Sequence, residues 1–470
     1  MPRLKSQTKR LLITKSLILL LITATLLALL VNVQQITDLL GRATAEPANI
    51  TVNTQAIIEP LPRPWRNLAQ GGESADWRME PVAEHVRPLN PEYIRIDHVF
   101  DFYDIVQGSS GNLSFDFSKF DLILDDILAV GAKPYIALSY MPPAIAEDDV
   151  VSAPRNYAEW QFVVQRLIEH VSGTRGIPDV YYEVWNEPDL FGGWKYYGNR
   201  NYLTLYSYAA QGARQARVSQ QFKIGGPATT QLYKNWFDAL AEHSIENNLR
   251  LDFLSWHRYS TDVNDFRHDM INARTWLQSY PQLGSSVELH LTEWGHDSAN
   301  HVGYDNMFGA AHTTAAGIEM IGVVDRAFVF EIQDGKDPAG QQLWGRWGLM
   351  THNDVGLRLK PRYRALEMLE ELAPLRLEIR GKGTYVKAVA SRDIDGRITL
   401  VLVNYDAWGR NRENVPVTLT NLESGAYTVR TRSLSNAPTT QQMTVEADTL
   451  TTTIPMSAQE IIFVEVTSAF

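Results

Sequence analysis

Short apolar runs alternate with longer segments of helical period between about residues 60 and 375. This alternation predicts β-strands joined by crossover helices. The predicted strands are Arg66–Gln70, Tyr93–Phe100, Lys133–Met141, Val180–Glu187, Lys223–Pro227, Asp252–Tyr259, Glu288–Trp294 and Arg326–Ile332. The predicted helices include Phe117–Val130, Tyr157–Val171, Tyr202–Val218, Trp236–Asn248, Asp305–Ile321 and Arg362–Leu372.

Eight strands with crossover helices over this length predict an α/β fold, a closed (β/α)8 TIM barrel that spans residues 63–378. A doubly wound sheet is the alternative. That fold should carry a glycine-rich phosphate turn after its first strand, and the pair Gly71-Gly72 is too short to form one.

The pattern becomes β-rich after about residue 380, which predicts a C-terminal β-sandwich over residues 379–470. In the run from Tyr427 to Ser433, less polar and more polar residues alternate, as in a half-buried antiparallel strand. The strand-like run Ile50–Ile58 lies in a linker, residues 37–62, and we expect it to pair with the sandwich. The other predicted strands here are Thr384–Ala390, Thr399–Asn404, Val415–Leu419, Thr449–Ile454 and Ile461–Val466.

The N-terminal leader, residues 1–36, has five basic residues ahead of the apolar run Ser16–Val31. The small-residue motif Ala43-Thr44-Ala45 lies far beyond that run for a signal peptidase site, so an uncleaved membrane anchor is favoured over a cleaved signal peptide. Because the positive flank stays in the cytoplasm, the rest of the chain is expected outside it. We therefore expect an extracytoplasmic protein, tethered to the membrane or secreted if the leader is cleaved.

Composition removes several classes of function. The 470 residues include no cysteine, which excludes disulfides, thiolate metal sites and a cysteine nucleophile. The formal net charge of −11 disfavours nucleic acid as a partner, because such a surface repels phosphate. The histidines do not fall into a metal-ligand spacing, so we expect no metal and no cofactor.

Polar side chains collect where three predicted strands end. Asn186 and Glu187 close the fourth strand, His257 and Tyr259 the sixth, and Glu293 the seventh. In a barrel, reactive groups lie at the C-terminal ends of the strands, so the two glutamates can face each other across its mouth. Glycoside hydrolysis uses such a pair of carboxyl groups, one as acid and the other as base or nucleophile.

The chain resembles glycoside hydrolase family 39, which belongs to the clan A retaining glycosidases and includes β-xylosidases and α-L-iduronidase. The resemblance rests on the segment Glu183–Phe191, with its Asn-Glu-Pro step, and on Thr292-Glu293-Trp294. It implies that Glu187 is the acid/base, that Glu293 is the nucleophile, and that Asn186 binds the sugar 2-hydroxyl. Tyr93-Ile-Arg95 and His257-x-Tyr259 resemble the family's second and sixth strands.

Three further residues are candidates for substrate binding or for support of the nucleophile. Arg95 lies among isoleucines, where a charge must be paired, either in an ion pair with Glu183 or as a donor to Glu293. Tyr259 is expected to donate a hydrogen bond to Glu293. His257 is either part of the site or a satisfied histidine of the core.

Two departures from the family pattern affect the sugar site. The chain reads Ile96-Asp97-His98 where xylosidase-like members read Phe-His-Gly, and its eighth strand, Phe328–Glu331, lacks the usual platform tryptophan. Trp344 or Trp347 could provide the missing stacking surface from a loop. The resemblance therefore leaves the identity of the sugar open.

These observations predict a retaining glycoside hydrolase, β-xylosidase-like, that acts on an extracellular oligo- or polysaccharide by double displacement. An endo-acting exopolysaccharide hydrolase would use the same carboxylates in an open groove. A non-catalytic carbohydrate-binding surface protein is the other alternative, although it would need stacking rings rather than two opposed carboxylates.

Overall fold

The computed structural model describes residues 45–469 except for 73, 74, 76, 285 and 336–344. The leader predicted for residues 1–36 and the candidate Trp344 lie outside the described residues. None of the helices described is both long and apolar enough to cross a membrane.

The described residues form nineteen β-strands and nine α-helices. The strands are β1 (Ile50–Pro60), β2 (Asn67–Gln70), β3 (Tyr93–Ile96), β4 (Val106–Ser109), β5 (Asn112–Phe115), β6 (Lys133–Leu138), β7 (Val180–Val184), β8 (Phe222–Thr229), β9 (Phe253–Tyr259), β10 (Glu288–Gly295), β11 (Arg326–Phe330), β12 (Leu375–Arg380), β13 (Val386–Arg392), β14 (Ile398–Asn404), β15 (Glu413–Thr420), β16 (Gly425–Ser433), β17 (Thr439–Val445), β18 (Leu450–Met456) and β19 (Ile461–Ser468). The helices are α1 (Ala83–Val86), α2 (Val99–Phe102), α3 (Ser118–Ala129), α4 (Tyr157–Ile168), α5 (Tyr202–Gln215), α6 (Lys234–Glu246), α7 (Asn264–Leu277), α8 (Met307–Met320) and α9 (Pro361–Glu370).

Eight parallel strands close into a barrel in the order β2, β3, β6, β7, β8, β9, β10 and β11, with β11 paired to β2. All eight predicted barrel strands are present, and the predicted TIM barrel is confirmed. The second strand is shorter than predicted: it ends at Ile96, because His98 adopts a left-handed conformation (φ 53°) and the chain turns into the short helix α2.

Helix α4 illustrates how the outer layer forms. The side chain of Asn156 accepts a hydrogen bond from the backbone N–H of Ala158 and so caps the first turn. Trp160, Val163 and Leu167 follow at helical spacing and are fully buried against the barrel. The opposite face of the helix remains partly exposed, as expected for an amphipathic helix of the outer layer.

Aromatic rings fill the lower part of the barrel. Tyr135, Tyr181, Phe253 and Phe328 belong to one buried cluster, in which the rings of Tyr135 and Phe328 lie 4.5 Å apart between centroids. The barrel is therefore packed rather than hollow in this layer. This aromatic floor leaves the polar groups to converge above it, at the C-terminal ends of the strands.

A second, mixed sheet contains nine strands in the order β17-β16-β19-β14-β13-β12-β1-β15-β18. Its end strands β17 and β18 approach each other, so the sheet encloses its own apolar core. Strand β1 pairs antiparallel with β12 and parallel with β15. The predicted C-terminal β-sandwich is confirmed, although β12, β17 and the hairpin β4–β5 were not among the predicted strands.

The sheet packs on the barrel through one of its faces. Val401 and Phe463 belong to the same buried cluster as the barrel helices. The hydroxyl of Tyr405 donates a 2.8 Å hydrogen bond to the backbone carbonyl of Thr261, just beyond β9. The contact thus reaches a loop on the side of the barrel where the strands end.

Candidate active site

Glu187 and Glu293 converge at the mouth of the barrel. Glu293 lies within β10, and Glu187 follows β7, with side chains that are 8% and 14% exposed. One oxygen of each carboxylate and one ring nitrogen of His257 all lie within 4.8 Å of one another. The structure thus brings together two carboxyl groups that are more than one hundred residues apart in the sequence.

The backbone around Glu187 has an uncommon conformation. Trp185 and Glu187 both have positive φ angles, of 75° and 47°, which non-glycine residues rarely adopt. The backbone N–H of Glu187 donates a 3.0 Å hydrogen bond to the carbonyl of Ala228, which lies on the neighbouring barrel strand β8. Strained backbone of this kind concentrates at functional sites, where it directs a side chain that a regular strand would point elsewhere.

Arg95 lies beneath the carboxylates and is fully buried. Its guanidinium donates three hydrogen bonds: from Nε to Oε2 of Glu183 at 2.8 Å, from Nη1 to Oε1 of Glu293 at 2.9 Å, and from Nη2 to Oδ1 of Asn186 at 2.7 Å. The two roles that the sequence leaves open for Arg95 therefore coexist. Because its planar head group has a fixed geometry, Arg95 orients Glu293 and Asn186 relative to each other.

Asn186 is held from both ends of its amide. Its Oδ1 accepts from Arg95, and its Nδ2 donates a 3.1 Å hydrogen bond to the hydroxyl of Tyr140. Asn186 is 5% exposed and lines the cavity in front of the glutamates. Since Nδ2 has two N–H groups and donates one to Tyr140, the other is available to a ligand in the cavity.

Tyr259 and His257, both on β9, contact the glutamates from one side. The Tyr259 hydroxyl donates a 2.9 Å hydrogen bond to Oε2 of Glu293. Nδ1 of His257 lies 2.8 Å from Oε1 of Glu187 and 3.5 Å from Oε2 of Glu293. His257 is fully buried, as a histidine of the core would be, but these contacts also make it part of the site.

Two opposing influences act on the charge of Glu293. Burial raises the pKa of its carboxyl to about 7, although the positive charges of His257 and Arg95 act in the opposite direction and the charge of Glu187 adds to the rise. The hydrogen bonds from Arg95 and Tyr259 favour the ionised form. An ionised Glu293 therefore depends on Arg95 and Tyr259 to offset the effect of its burial.

His257 responds to the same pair. Burial alone lowers its pKa, but the carboxylates of Glu293 and Glu187 outweigh burial, and the pKa of His257 is raised. A protonated His257 donates from Nδ1 to Glu187. It can therefore stabilise the negative charge that Glu187 carries after it has given up a proton.

A cavity of about 410 Å³ lies in front of these residues. Its described lining includes three acids, Asp97, Glu187 and Glu293, but neither lysine nor arginine. Leu190 and Phe191 form an apolar lip beside Glu187 and are 59% and 39% exposed. The other lining residues are Gly71, Gly72, His98, Tyr140, Asn186, Thr230, Gln231, Tyr259, Ser298, Phe330 and Trp347.

Of the two tryptophans that are candidates for stacking on the sugar, one lies at the cavity. Trp347 lines the cavity, with its ring centroid 5.9 Å from that of Phe330. Trp344 lies outside the described residues, so its predicted role in substrate binding stays a prediction.

Among the lining residues with no binding role predicted from the sequence are Asp97, which the sequence marked only as part of a departure from the family pattern, and Tyr140. Asp97 lies two residues beyond Arg95, and side chains two apart in an extended segment point to the same side, so this spacing was a usable signal. Tyr140 comes two residues after the end of β6, at Leu138, and binds Asn186. Nothing in the sequence around Tyr140 indicates that contact.

Glu187, His257 and Glu293 are also the described residues whose ligand atoms lie close enough together to hold a metal ion. Both oxygens of Glu293 already accept hydrogen bonds, from Arg95 and Tyr259. A cation there would lie beside a buried guanidinium, which it would repel. The arrangement suits proton transfer and nucleophilic attack better than metal binding.

Comparison with known proteins identifies relatives of the chain. The family model of glycosyl hydrolases family 39 matches residues 49–427. The chain is 27% identical to a beta-xylosidase of Caldicellulosiruptor saccharolyticus over 386 residues, which are 74% of this chain and 76% of the relative.

Solved structures support the same fold. A monomeric beta-xylosidase from Caulobacter crescentus CB15 aligns with a TM-score of 0.76 at 20% identity, over 90% of this chain and 100% of that chain. The GH39 enzyme from Xanthomonas axonopodis pv. citri aligns with a TM-score of 0.75 at 19% identity, over 90% and 98% of the two chains.

Proposed function

The chain belongs to glycosyl hydrolases family 39 and is a glycosidase, and from this premise we propose that it cleaves O-glycosidic bonds with retention of anomeric configuration. In this proposal Glu293 is the nucleophile and Glu187 the acid/base. The substrate is a β-xyloside or a similar sugar at the end of an oligo- or polysaccharide.

The distance between the two carboxyl groups carries the proposal. Retaining glycosidases hold their carboxyl groups roughly 5–5.5 Å apart, whereas inverting enzymes need roughly 6.5–9.5 Å to admit a water molecule. Oxygens of Glu187 and Glu293 lie within 4.8 Å of each other. This separation agrees better with the shorter spacing of retaining enzymes than with the longer spacing of inverting ones.

In the first step, a carboxylate oxygen of Glu293 attacks the anomeric carbon. The bond to the leaving oxygen breaks, and that oxygen takes the proton of Glu187. Arg95 and Tyr259, which bind the two oxygens of Glu293, hold the attacking group in one orientation. His257, 2.8 Å from Glu187, stabilises the carboxylate that remains.

In the second step, the ionised Glu187 removes a proton from a water molecule. The resulting hydroxide attacks the anomeric carbon, the bond to Glu293 breaks, and the sugar leaves with two inversions and therefore net retention. Glu187 is protonated again and Glu293 ionised, which restores the starting state. The turn Glu187–Leu190 is closed by a 3.0 Å backbone hydrogen bond and brings the apolar lip next to Glu187, so in this proposal the lip contacts the leaving group.

The choice of a xyloside is supported by the beta-xylosidase relative, which matches three quarters of both chains. An endo-acting hydrolase with the same carboxylates is the competing form of the proposal. Product analysis separates them, because an exo-acting enzyme releases monosaccharide from xylo-oligosaccharides from the first time point, whereas an endo-acting enzyme first releases shorter oligosaccharides.

We also propose that the enzyme works outside the cytoplasm, tethered by its N-terminal segment. The support is the basic flank followed by the apolar run Ser16–Val31. Protease added to intact cells should digest the barrel, and deletion of residues 1–36 should move the protein from the membrane fraction into the cytoplasm. Full protection from protease in intact cells would contradict this location.

Azide rescue tests the two catalytic roles. In Glu187→Ala, azide replaces water in the second step, so an activated aryl β-xyloside should yield a glycosyl azide of retained configuration. In Glu293→Ala, azide occupies the space of the missing carboxylate and should yield the inverted azide. Glu147→Ala, which removes an exposed acid outside the cavity, should form no azide. The opposite pair of configurations would exchange the two roles, and near-normal turnover of either site variant would remove it from the mechanism.

A further inference from the structure

Asp97 occupies a position in the cavity that the proposed mechanism does not use. It directly follows β3, two residues beyond Arg95, and lines the same cavity as Glu187 and Glu293. The residue is only 7% exposed. It therefore presents a carboxyl group to the space in front of the nucleophile from the second barrel strand.

The carboxyl group of Asp97 is not satisfied by the protein around it. Its Oδ1 is buried and has no hydrogen-bond partner among the described residues. The nearby Asp101, by contrast, accepts from the backbone N–H of Tyr140 at 3.1 Å and lies 2.7 Å from Nδ1 of His98. A buried carboxyl oxygen without a partner is costly, which indicates that its partner arrives with a ligand.

We propose that Asp97 determines sugar specificity, by accepting hydrogen bonds from hydroxyl groups of the sugar bound next to Glu293 and by rejecting sugars that carry a carboxylate. This inference rests on the proposed function and names its substrate class: a neutral glycone, not a uronic acid.

The charges around the cavity support the rejection of uronic acids. The described lining holds three acids and no lysine or arginine. The only buried guanidinium beneath the glutamates in the described site, that of Arg95, already donates from Nε, Nη1 and Nη2 to protein oxygens. A sugar carboxylate would lose its hydration next to Asp97 without gaining a lysine or arginine, and the basic side chain of the lining, His98, already lies 2.7 Å from Asp101.

Hydroxyl groups suit the same position. Each is a donor as well as an acceptor, so a sugar hydroxyl can donate a hydrogen bond to the carboxyl group of Asp97. A site built to bind a hydroxyl group discriminates strongly against an analogue that lacks it, since the buried acceptor is then left unpaired. Burial also raises the pKa of the Asp97 carboxyl, although the nearby charges of His98 and Arg95 act in the opposite direction.

Kinetics with paired substrates test this inference. Wild-type enzyme and Asp97→Asn are compared on 4-nitrophenyl β-xyloside and on its singly deoxygenated analogues, and on the matched pair of 4-nitrophenyl β-glucoside and β-glucuronide. Because a hydrogen bond to a charged group contributes about 1.5–3 kcal/mol, kcat/KM of Asp97→Asn for the xyloside should fall about 10- to 100-fold. For one deoxy analogue, the one that lacks the hydroxyl bound by Asp97, kcat/KM should be equally low in both enzymes. The ratio of kcat/KM for the glucuronide to that for the glucoside should be higher in the variant than in the wild type.

Asp126→Asn is the matched control. Asp126 is 6% exposed, like Asp97, but it lies on α3 and accepts from Nε and Nη2 of Arg78 at 2.7 and 2.8 Å. This variant should lose stability and keep the substrate ratios of the wild type. The proposal would be overturned if Asp97→Asn and the wild type had the same glucuronide-to-glucoside ratio of kcat/KM and if the two enzymes differed by the same factor on every deoxy analogue.

Calorimetric binding of free xylose and of glucuronate gives a readout that needs no turnover. Wild-type protein should bind xylose and not glucuronate, and Asp97→Asn should lose most of its affinity for xylose. If the protein binds the sugars with this preference but does not hydrolyse glycosides, the proposed function fails while the role of Asp97 stands. Unchanged binding by Asp97→Asn would contradict that role whatever the activity.

Discussion

Nη1 of Arg95 donates a 2.9 Å hydrogen bond to Oε1 of Glu293, within a barrel layer where both groups are buried. The same guanidinium pairs with Glu183, which is fully buried below the cavity. The charge of Arg95 is thus shared between one acid that faces substrate and one that does not. This arrangement makes stability and activity of the site separable by mutation.

Glu183→Ala should be strongly destabilising, because it leaves Arg95 with an uncompensated buried charge. Breaking a buried ion pair from one side costs about 3–5 kcal/mol. Glu183→Gln keeps an acceptor for Nε of Arg95 and should lose clearly less. Urea denaturation followed by circular dichroism measures both free energies of unfolding. Equal losses in the two variants would contradict the assignment of Glu183 as the structural counter-ion.

Tyr259→Phe should impair the nucleophile without unfolding the protein. The variant removes the 2.9 Å hydrogen bond to Oε2 of Glu293, and a hydrogen bond to a charged group contributes about 1.5–3 kcal/mol, so kcat/KM should fall about 10- to 100-fold. Since this bond favours the ionised carboxylate, its loss raises the pKa of Glu293, and the acidic limb of the pH profile should move to higher pH.

Tyr202→Phe is the control for that measurement. Tyr202 is also fully buried, but its hydroxyl donates a 2.8 Å hydrogen bond to the backbone carbonyl of Val184, away from the glutamates. It should lose stability and keep the pH profile of the wild type. A shift of the same size in both tyrosine variants would point to general loosening of the barrel.

The pH dependence of stability should reveal the buried acid of Glu293. Its folded-state pKa is raised to about 7 by burial, from an ordinary value of about 4.3. The contribution of the protonated Glu293 carboxyl to the free energy of unfolding is complete below its ordinary pKa, and it is lost as pH rises through 7. Glu293→Gln cannot ionise, so its melting temperature should fall less between pH 5 and about pH 8 than that of the wild type. Parallel curves would contradict the raised pKa.

Trapping the intermediate should place the sugar on Glu293. Glu187→Ala lacks the base for the second step, and general base catalysis contributes roughly 10²–10⁴-fold, so an activated aryl glycoside should accumulate the glycosyl-enzyme. Mass spectrometry of peptides should find one sugar residue on the peptide that contains Glu293. A modified peptide from another strand, or no covalent species with a clear burst of aryl alcohol, would contradict the double displacement.

The strand ends that carry the two glutamates were predictable from the sequence because they combine two strong signals. Glu187 and Glu293 each follow an apolar stem and sit at the C-terminal end of a barrel strand. Arg95 was found because a charge among isoleucines must be paired. The sequence left open which acid pairs with Arg95, and in the structure Arg95 binds both Glu183 and Glu293.

The walls of the cavity were not predictable in the same way. Asp97, Tyr140 and Phe191 line it from loops that follow barrel strands. Their positions depend on local turns, such as the left-handed conformation of His98, which no periodicity indicates. The order of the nine-stranded sheet was hidden for a similar reason, since β1 finds its partner β15 more than three hundred residues further along the chain.

Proton NMR of the first product, recorded before mutarotation, tests the central claim most directly. With an aryl β-xyloside as substrate, the close approach of Glu187 and Glu293 predicts that the β-anomer of the free sugar appears first and the α-anomer grows in only at the rate of mutarotation. Initial release of the α-anomer would mean a single displacement by water, and the double displacement through Glu293 would be wrong.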